Sequence, residues 1–278
     1  MTDRQAEIEQ RVRSVQQLSN VVTAMRGIAA TRAQQSRGLL PAIDAYARMI
    51  AEAITQALPL VASDGTVPRP GGPAALVLFG AEQGFAGAFG DRMMAAVDGL
   101  VPGTALFLIG SRAARQAQER GLQPAWQTAM AAHTGAITVL ATRIAEALYA
   151  ALPEAGFRQV EMVFPIWRPG AELQVERRSL LPLDARWFPE RPLDQPPLIT
   201  LPPARLLEQL AEEYVTAQLC EAATHAFAAE NEARAAAMMR AKSNISGMLE
   251  TLSAEERRVR QEAITAEVVE LATGSGMF

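Results

Sequence analysis

The residues with the clearest capacity for chemistry lie between Leu76 and Met94, in the stretch LVLFGAEQGFAGAFGDRMM. An apolar strand pattern runs into glycines at 80, 84, 87 and 90, and then into a helical start. Backbone N–H groups in such a loop, with a helix N-terminus behind them, can cradle an anion such as a nucleotide phosphate. The spacing G-x3-G-x2-G-x2-G is not the dinucleotide fingerprint, and no Gly-Lys-Ser/Thr follows as a P-loop requires. Gly110, followed by Ser111 and Arg112, stands where an acidic residue would take a ribose hydroxyl after the next strand. The same glycines also serve a tight turn and close strand–helix packing. That packing role is the favoured reading.

Other reactive side chains are sparse. His133 and His225 are the only histidines, and His225 has just Glu221 at a two-ligand helical spacing, where a metal wants three or four ligands, so it reads as solvated surface. Cys220 is the single cysteine, which excludes an internal disulfide and fits a reducing compartment. It lies on a helical stripe, where it packs as a small apolar group. No Ser/His/Asp set, Cys/His pair or spaced carboxylate pair is present. The EERR run at 255–258 reads as a solvated helix face, or else as a contact collar. The expectation is a chain with no catalytic residue, cofactor or metal.

Bulk properties narrow the classes further. A net charge of −4 gives no basic field for nucleic acid. Lys242 is the only lysine; arginine supplies the remaining basic residues, a composition bias. The opening MTDRQAEIEQRVRSV is polar and predicts no signal segment, and no run of eighteen apolar residues predicts a transmembrane span. The chain reads as soluble and cytoplasmic, with attachment to a membrane complex left open.

The elements fall into three segments. In the first, residues 1–58, Val15, Leu18, Val22, Met25 and Ala29 recur at steps of three and four, the seam of a coiled coil. The seam falters at Arg11 and Arg32, and Gly38 with Pro41 predicts a kink. Periodicity resumes through Ile43, Tyr46, Met49, Ile50 and Ile54 before the turn-rich linker SDGTVPRPGGP. The second segment, residues 72–197, alternates strand and helix. AALVLF, TALFLIG and FRQVEMVF read as strands, with AELQVERRSLL as a fourth after the turn RPGA. A helix through Val97, SRAARQAQERG with Ser111 as its cap, and GAITVLATRIAEALYAAL are the helices. Their order predicts a mostly parallel sheet covered by helices, closed by the proline-rich ARWFPERPLDQPPLITLPP.

The third segment, residues 202–278, opens on Pro202 and Pro203 and then lacks proline, with Gly247 its only interior glycine. Leu210, Tyr214, Ala217, Cys220, Thr224, Phe227 and Asn231 keep three–four spacing. So do Met238, Ala241, Ile245, Met248 and Leu252, with Val259 a heptad on. Seventy residues of helix would reach roughly 105 Å, and the first helix roughly 80 Å. Each rod carries a narrow apolar stripe and needs a partner. The nearest partner is the other rod, so the fold class is α/β, with long terminal helices in an antiparallel coiled coil around an inserted α/β domain. Beyond Val259 the seam dissolves into RQEAITAEVVELATGSGMF, which predicts an unpaired C-terminal tip.

With the rods placed, the chain resembles, over essentially its whole length, the gamma or central-shaft subunit of F-type ATP synthases. IEQRVRSVQQLSNVVTAMRGIAATR is similar to the family's opening pattern I..RI.S......T.AM..VA..K, and AEQGFAGAFG takes the place of SDRGLCGGLN. AENEARAAAMMRAKSNISGMLETL resembles SE..ARM.AM..AT.NA.....L. RQEAITAEVVEL matches RQ..IT.E..EI at Arg260, Gln261, Ile264, Thr265, Glu267 and Glu270, the most specific likeness. Gln83 and Ala86 replace the family's arginine and cysteine, Gly27 replaces a larger apolar residue, and ATGSGMF is not the usual tail. The chain thus resembles a divergent member.

The resemblance implies a non-catalytic rotor with a Rossmann-like α/β domain. Its partners would be the alpha and beta subunits, the epsilon subunit and the membrane c-ring, on the cytoplasmic face of the inner membrane. The coupling ion, proton or sodium, is not implied. It assigns ring contacts to Arg260, Gln261, Thr265 and Glu267, and a torque-transfer region to Met25 and Arg26 with Lys242 across the coil. Taking one catalytic site from 1:99 to 99:1 requires about 5.5 kcal/mol of differential contact. The competing classes are a nucleotide-dependent enzyme with helical oligomerisation arms and a coiled-coil scaffold. The first needs a reactive side chain beside the glycine loop, and none is there.

Overall fold

A computed structural model describes residues 2–61, 72–166, 168, 172–183, 187–189 and 197–274. Most of the linker SDGTVPRPGGP, the RPGA turn, the proline-rich closing stretch and the tail ATGSGMF lies outside the described residues. The chain divides into two compact units, Met1–Ala29 with Arg234–Phe278, and Ala30–Ala233. Two helices contribute to both: α1 at Thr2–Ala57, and the last helix at Pro203–Gly274.

In the unit 30–233, five strands form one sheet. They are β1 (Ala74–Phe79), β2 (Ala105–Ile109), β3 (Trp126–Thr128), β4 (Gln159–Ile166) and β5 (Gln174–Leu181), in the order β3-β2-β1-β4-β5. β1, β2, β3 and β4 run parallel and β5 is antiparallel to β4. The apolar runs of β1, β2 and β4 are buried on both faces, as parallel strands require. One face packs on α2 (Phe89–Ala95) and α3 (Ser111–Glu119), with Met93, Met94, Ala113 and Ala117 buried against Leu76, Leu78 and Leu108. The other carries α4 (Ile137–Ala155) and the middle of the C-terminal helix, α5 (Pro203–Gly274). Residues 134–155 are apolar enough to cross a membrane by composition, but Ile137, Leu140, Ile144 and Leu148 lie buried on the sheet.

Two expectations need correction here. FRQVEMVF is the fourth strand in chain order, because the three residues Trp126–Thr128 form β3 before it. So short a run carries no readable alternation. Ser111 is not a cap: Gly110 precedes α3 without a side-chain capping bond, and Ser111 is the first helical residue. α1 continues through Gly38 and Pro41, from Thr2 to Ala57. Pro41 is exposed, so the backbone bond it forfeits falls where water can serve the carbonyl.

The seam of α1 is also shifted from its expected line. Ile8, Ser19, Val22, Ala29, Ala33, Ser36, Leu40, Ala47, Ile50, Ile54 and Ala57 are buried, with Val12, Val15 and Ile43 half-buried between them. These residues keep a strict alternation of four and three, broken only at the exposed Arg26. Leu18, Tyr46 and Met49, expected inside, are 52%, 40% and 60% exposed. Ser19, Ala47 and Ile50 hold those levels instead, and the two small ones let the backbones approach closely. On α5 the buried positions Met238, Ile245, Leu252 and Val259 are a heptad apart, with Lys242, Leu249 and Glu256 half-buried between them, while Met248 faces out.

Within the unit 1–29/234–278 the two helices run antiparallel. Val22, Met238 and Ile245 form its core with Val15, Met25 and Leu249, and Arg4 meets Glu255 at 3.6 Å. From 260 to 269 only Ala263 is even half-buried, so the expected bare end of α5 is present. In the other unit, residues 214–231 of α5 are buried nearly all round, enclosed by the sheet, α4 and α1. Glu221 is the only charged residue between Tyr214 and Ala229 apart from the titratable His225, which is the composition such burial needs.

Candidate functional site

The glycine loop follows β1, beside the point where the strand order turns back. β2 lies on one side of β1 and β4 on the other, and ligands of doubly wound sheets bind at such a crevice. Here the crevice holds the chain's own carboxylates. Glu230 of α5, 3% exposed, accepts the backbone N–H groups of Glu82 (3.1 Å) and Gln83 (2.9 Å). Ala229 beside it packs with Leu78, Ala81 and Val163.

Glu82 fills the second cradle. Its carboxylate accepts the Ser111 N–H (2.9 Å) and hydroxyl (2.8 Å) at the start of α3, and the Met130 N–H (2.8 Å) beyond β3. A negative charge at that helix start is stabilising, so Glu82 performs the capping expected of Ser111. Gly80 permits the approach: a Cβ there would meet the Ala113 Cβ at 2.3 Å. Gly110, at φ +116, would place a Cβ 2.6 Å from the Ala81 oxygen. The loop therefore folds as an anion cradle that is already satisfied, and its glycines serve packing.

A second polar site ties β5 to α5. Arg178 donates to Gln218 (2.8 Å) and Glu221 (3.0 Å) of α5 and to Glu176 (2.7 Å), and its guanidinium lies 5.0 Å from the Phe164 ring centre. Burial opposes its charge, but the hydrogen bonds and charges of Glu221 and Glu176 outweigh that and raise its pKa. His225, stacked obliquely on Phe164, has its pKa lowered by burial against the opposing pull of Glu221 and Asp44. It is half-buried against that ring and not the solvated surface residue expected, because this stretch of α5 is enclosed by the sheet, α4 and α1. Burial pushes the Cys220 thiol up, partly offset by a hydrogen bond with Thr138. Among the described residues no group of three His, Cys, Asp or Glu is placed to hold a metal.

The residues carried over as ring contacts are distributed along the helices of the unit 1–29/234–278. Lys242 donates from Nζ to Ser19 Oγ (2.8 Å) and Thr23 Oγ1 (3.0 Å), one turn before the half-buried Met25 and the exposed Arg26. Arg260, Gln261, Thr265 and Glu267 are all exposed on the bare end of α5. Arg260 pairs with Glu256 (2.9 Å), and Thr265 bonds back to the Gln261 carbonyl (2.8 Å). The seven are not brought together in one site.

An apolar surface lies outside the seam. Leu18, Val21 and Ile28, at 52%, 54% and 56% exposure, stand on one face of α1 with Met25 between them. Met239 and Met248 on α5 are as open, as are Ile264, Val268, Val269 and Leu271 toward its end. Their signal was a second three–four series beside the seam, at 18, 21, 25 and 28.

Comparison with known proteins accords with this architecture. The ATP synthase family model matches residues 4–276. The ATP synthase gamma chain of Parafrankia sp. (strain EAN1pec) is 27% identical over 297 residues, covering 97% of this chain and 96% of that one. That of Streptococcus suis (strain 05ZYH33) is 24% identical over 284 residues, covering 97% of each. The rotor of the Euglena gracilis mitochondrial ATP synthase shares the fold at a TM-score of 0.65 and 12% identity, over 95% of this chain and 100% of that one. The crevice where a nucleotide-dependent enzyme would bind its cofactor is filled from within, so that rival is not favoured. With long N- and C-terminal helices, a mostly parallel sheet in the sequence between them, and a family match over residues 4–276, the chain belongs to the ATP synthase family as a gamma chain, a non-catalytic subunit of the central stalk.

Proposed function

We propose that this gamma chain is the shaft that couples ion flow through a membrane c-ring to conformational change in a ring of alpha and beta subunits, with epsilon as its companion at the foot. Residues 1–58 and 202–278 serve as the shaft and residues 72–197 as the α/β foot domain, on the cytoplasmic face of the inner membrane. The observation that carries this is the excess of apolar surface on the paired helices. Leu18, Val21, Ile28, Met239 and Met248 are left open after the seam is closed, and α5 extends bare beyond Val259. Several open large apolar side chains on one helical pair mark an interaction surface.

Met25, Arg26 and Lys242 then stand where turning moment passes to the catalytic chains, and Arg260, Gln261, Thr265 and Glu267 touch the bearing at the ring. The test is assembly with the companion alpha and beta chains. One copy of this chain should co-purify with three catalytic chains, and ATP should drive its rotation within the ring. Changing Gln261 and Thr265 together to alanine should lower coupled ATPase activity about tenfold, the loss expected for roughly 1.4 kcal/mol of contact. Undiminished activity would remove these residues from the bearing.

A further inference from the structure

We infer that Glu230 and Arg178 are two keys that fix α5 against rotation about its own axis within the α/β unit, so that turning moment crosses from sheet to helix through directional hydrogen bonds. The inference rests on the rotor reading above and concerns where in the foot the moment is transmitted. The apolar contact between α5 and the sheet is suited to adhesion but poorly suited to resisting a twist. Its central residues, Ala222, Ala223 and Ala226, are fully buried and have little side-chain length with which to interlock, so that Val215, Leu219 and Phe227 supply the longer apolar contacts. Hydrophobic attraction is non-directional, so it resists separation more than it resists sliding.

Two charge-assisted contacts on this stretch come from opposite flanks. Arg178 of β5 grips Gln218 and Glu221, and the loop after β1 grips Glu230 through two backbone N–H groups. Glu221 and Glu230 are nine residues apart, which places them about half a turn apart around the helix and about 14 Å apart along it. Restraints on opposite sides of an axle form a couple: a twist that relaxes one must stretch the other. Both are charge-assisted and largely shielded from water, Glu230 at 3% exposure and the Glu221 side chain at 13%. Each gripping group is itself braced, Arg178 by Glu176 and Phe164, and the loop by the Glu82 carboxylate on α3.

The assembled complex, fixed by its ring and carrying a bead on the α/β unit, reads out the keys as angular fluctuation during a pause. Glu230→Gln or Arg178→Met should each raise the angular variance, by up to about twofold if the two share the load equally. The double variant should exceed the sum of the two, with ATP hydrolysis retained. Variance equal to that of the unsubstituted complex in all three would overturn the inference. An unsubstituted complex that hydrolyses ATP without turning would instead overturn the rotor reading. A second measurement serves if the variants assemble poorly. In the full chain with Cys220→Ser, spin labels at Glu208→Cys on α5 and Arg115→Cys on α3 should give one narrow distance distribution. Glu230→Ala should broaden it, and formate, supplying a carboxylate to the vacated N–H pair, should narrow it again. No broadening, or broadening that formate leaves unchanged, refutes the role of Glu230.

Discussion

Two glycines in the long helices provide a test in which stability and function should part company. Gly27 of α1 and Gly247 of α5 are exposed, helical, and have nothing within 4 Å of where a Cβ would stand. Alanine at either site thus meets no clash and gains no contact, leaving only the backbone preference, about 0.8–1 kcal/mol per site. Both lie in the unit 1–29/234–278, so their effects should sum to about 2 kcal/mol, roughly a thirtyfold change in its folding equilibrium. Urea titration of the isolated chain, followed by helical circular dichroism, should show the midpoint rise by roughly 0.7–1 M for a slope of about 2–3 kcal/mol/M. If the same face runs close to the ring, the assembled complex should lose activity while the isolated chain becomes sturdier. An unchanged or lower midpoint would refute the claim that these glycines have no structural duty of their own.

Glu82→Ala removes the acceptor of three N–H and O–H groups at α3 and β3; it should destabilise the α/β unit by about 2 kcal/mol, seen as a lowered thermal midpoint that Arg115→Ala leaves in place. Gly80→Ala forces a Cβ to within 2.3 Å of Ala113; separating β1 from α3 should cost about 2–3 kcal/mol, read by urea titration. His225 is held below the ordinary histidine pKa by burial. Its folded form therefore binds fewer protons than its unfolded form below pH about 6.5, so stability should fall as pH drops through that value. His225→Gln should flatten that part of the pH profile, and an unaltered slope would exclude the imidazole as its source.

The sequence made β1, β2, β4 and β5 readable because each is a run of apolar or alternating residues bounded by turn formers. β3 was not, since Trp126, Gln127 and Thr128 are too few to express a period. The helix pair was legible in outline and displaced in detail. From Val15, Val22 and Ala29 either a step of three or a step of four completes a seam, and hydropathy chose Leu18. The folded chain chose Ser19, whose hydroxyl receives Lys242, and left Leu18 for the outside. An apolar residue at helical spacing signals a partner without saying which one, and these helices carry stripes for two.

What fills the crevice beside the glycine loop comes from far along the chain. Glu230 lies 147 residues from Gln83, and no local pattern announces that the two will meet. Pairings of that kind are fixed by the three-dimensional path of α5, which periodicity alone does not describe.

The full enclosure of residues 214–231 has a bearing on how the chain is made. The sheet strands leave the ribosome before α5, yet one of their faces is finished only by Val215, Leu219, Phe227 and the alanines between them, which are synthesised last. Until then a greasy surface waits uncovered, and its contacts, once made, span great separations along the chain, which slows closure and invites clumping. A truncated product ending before Pro203 should accordingly be the insoluble one, because the last-born helix is the lid of the domain that precedes it.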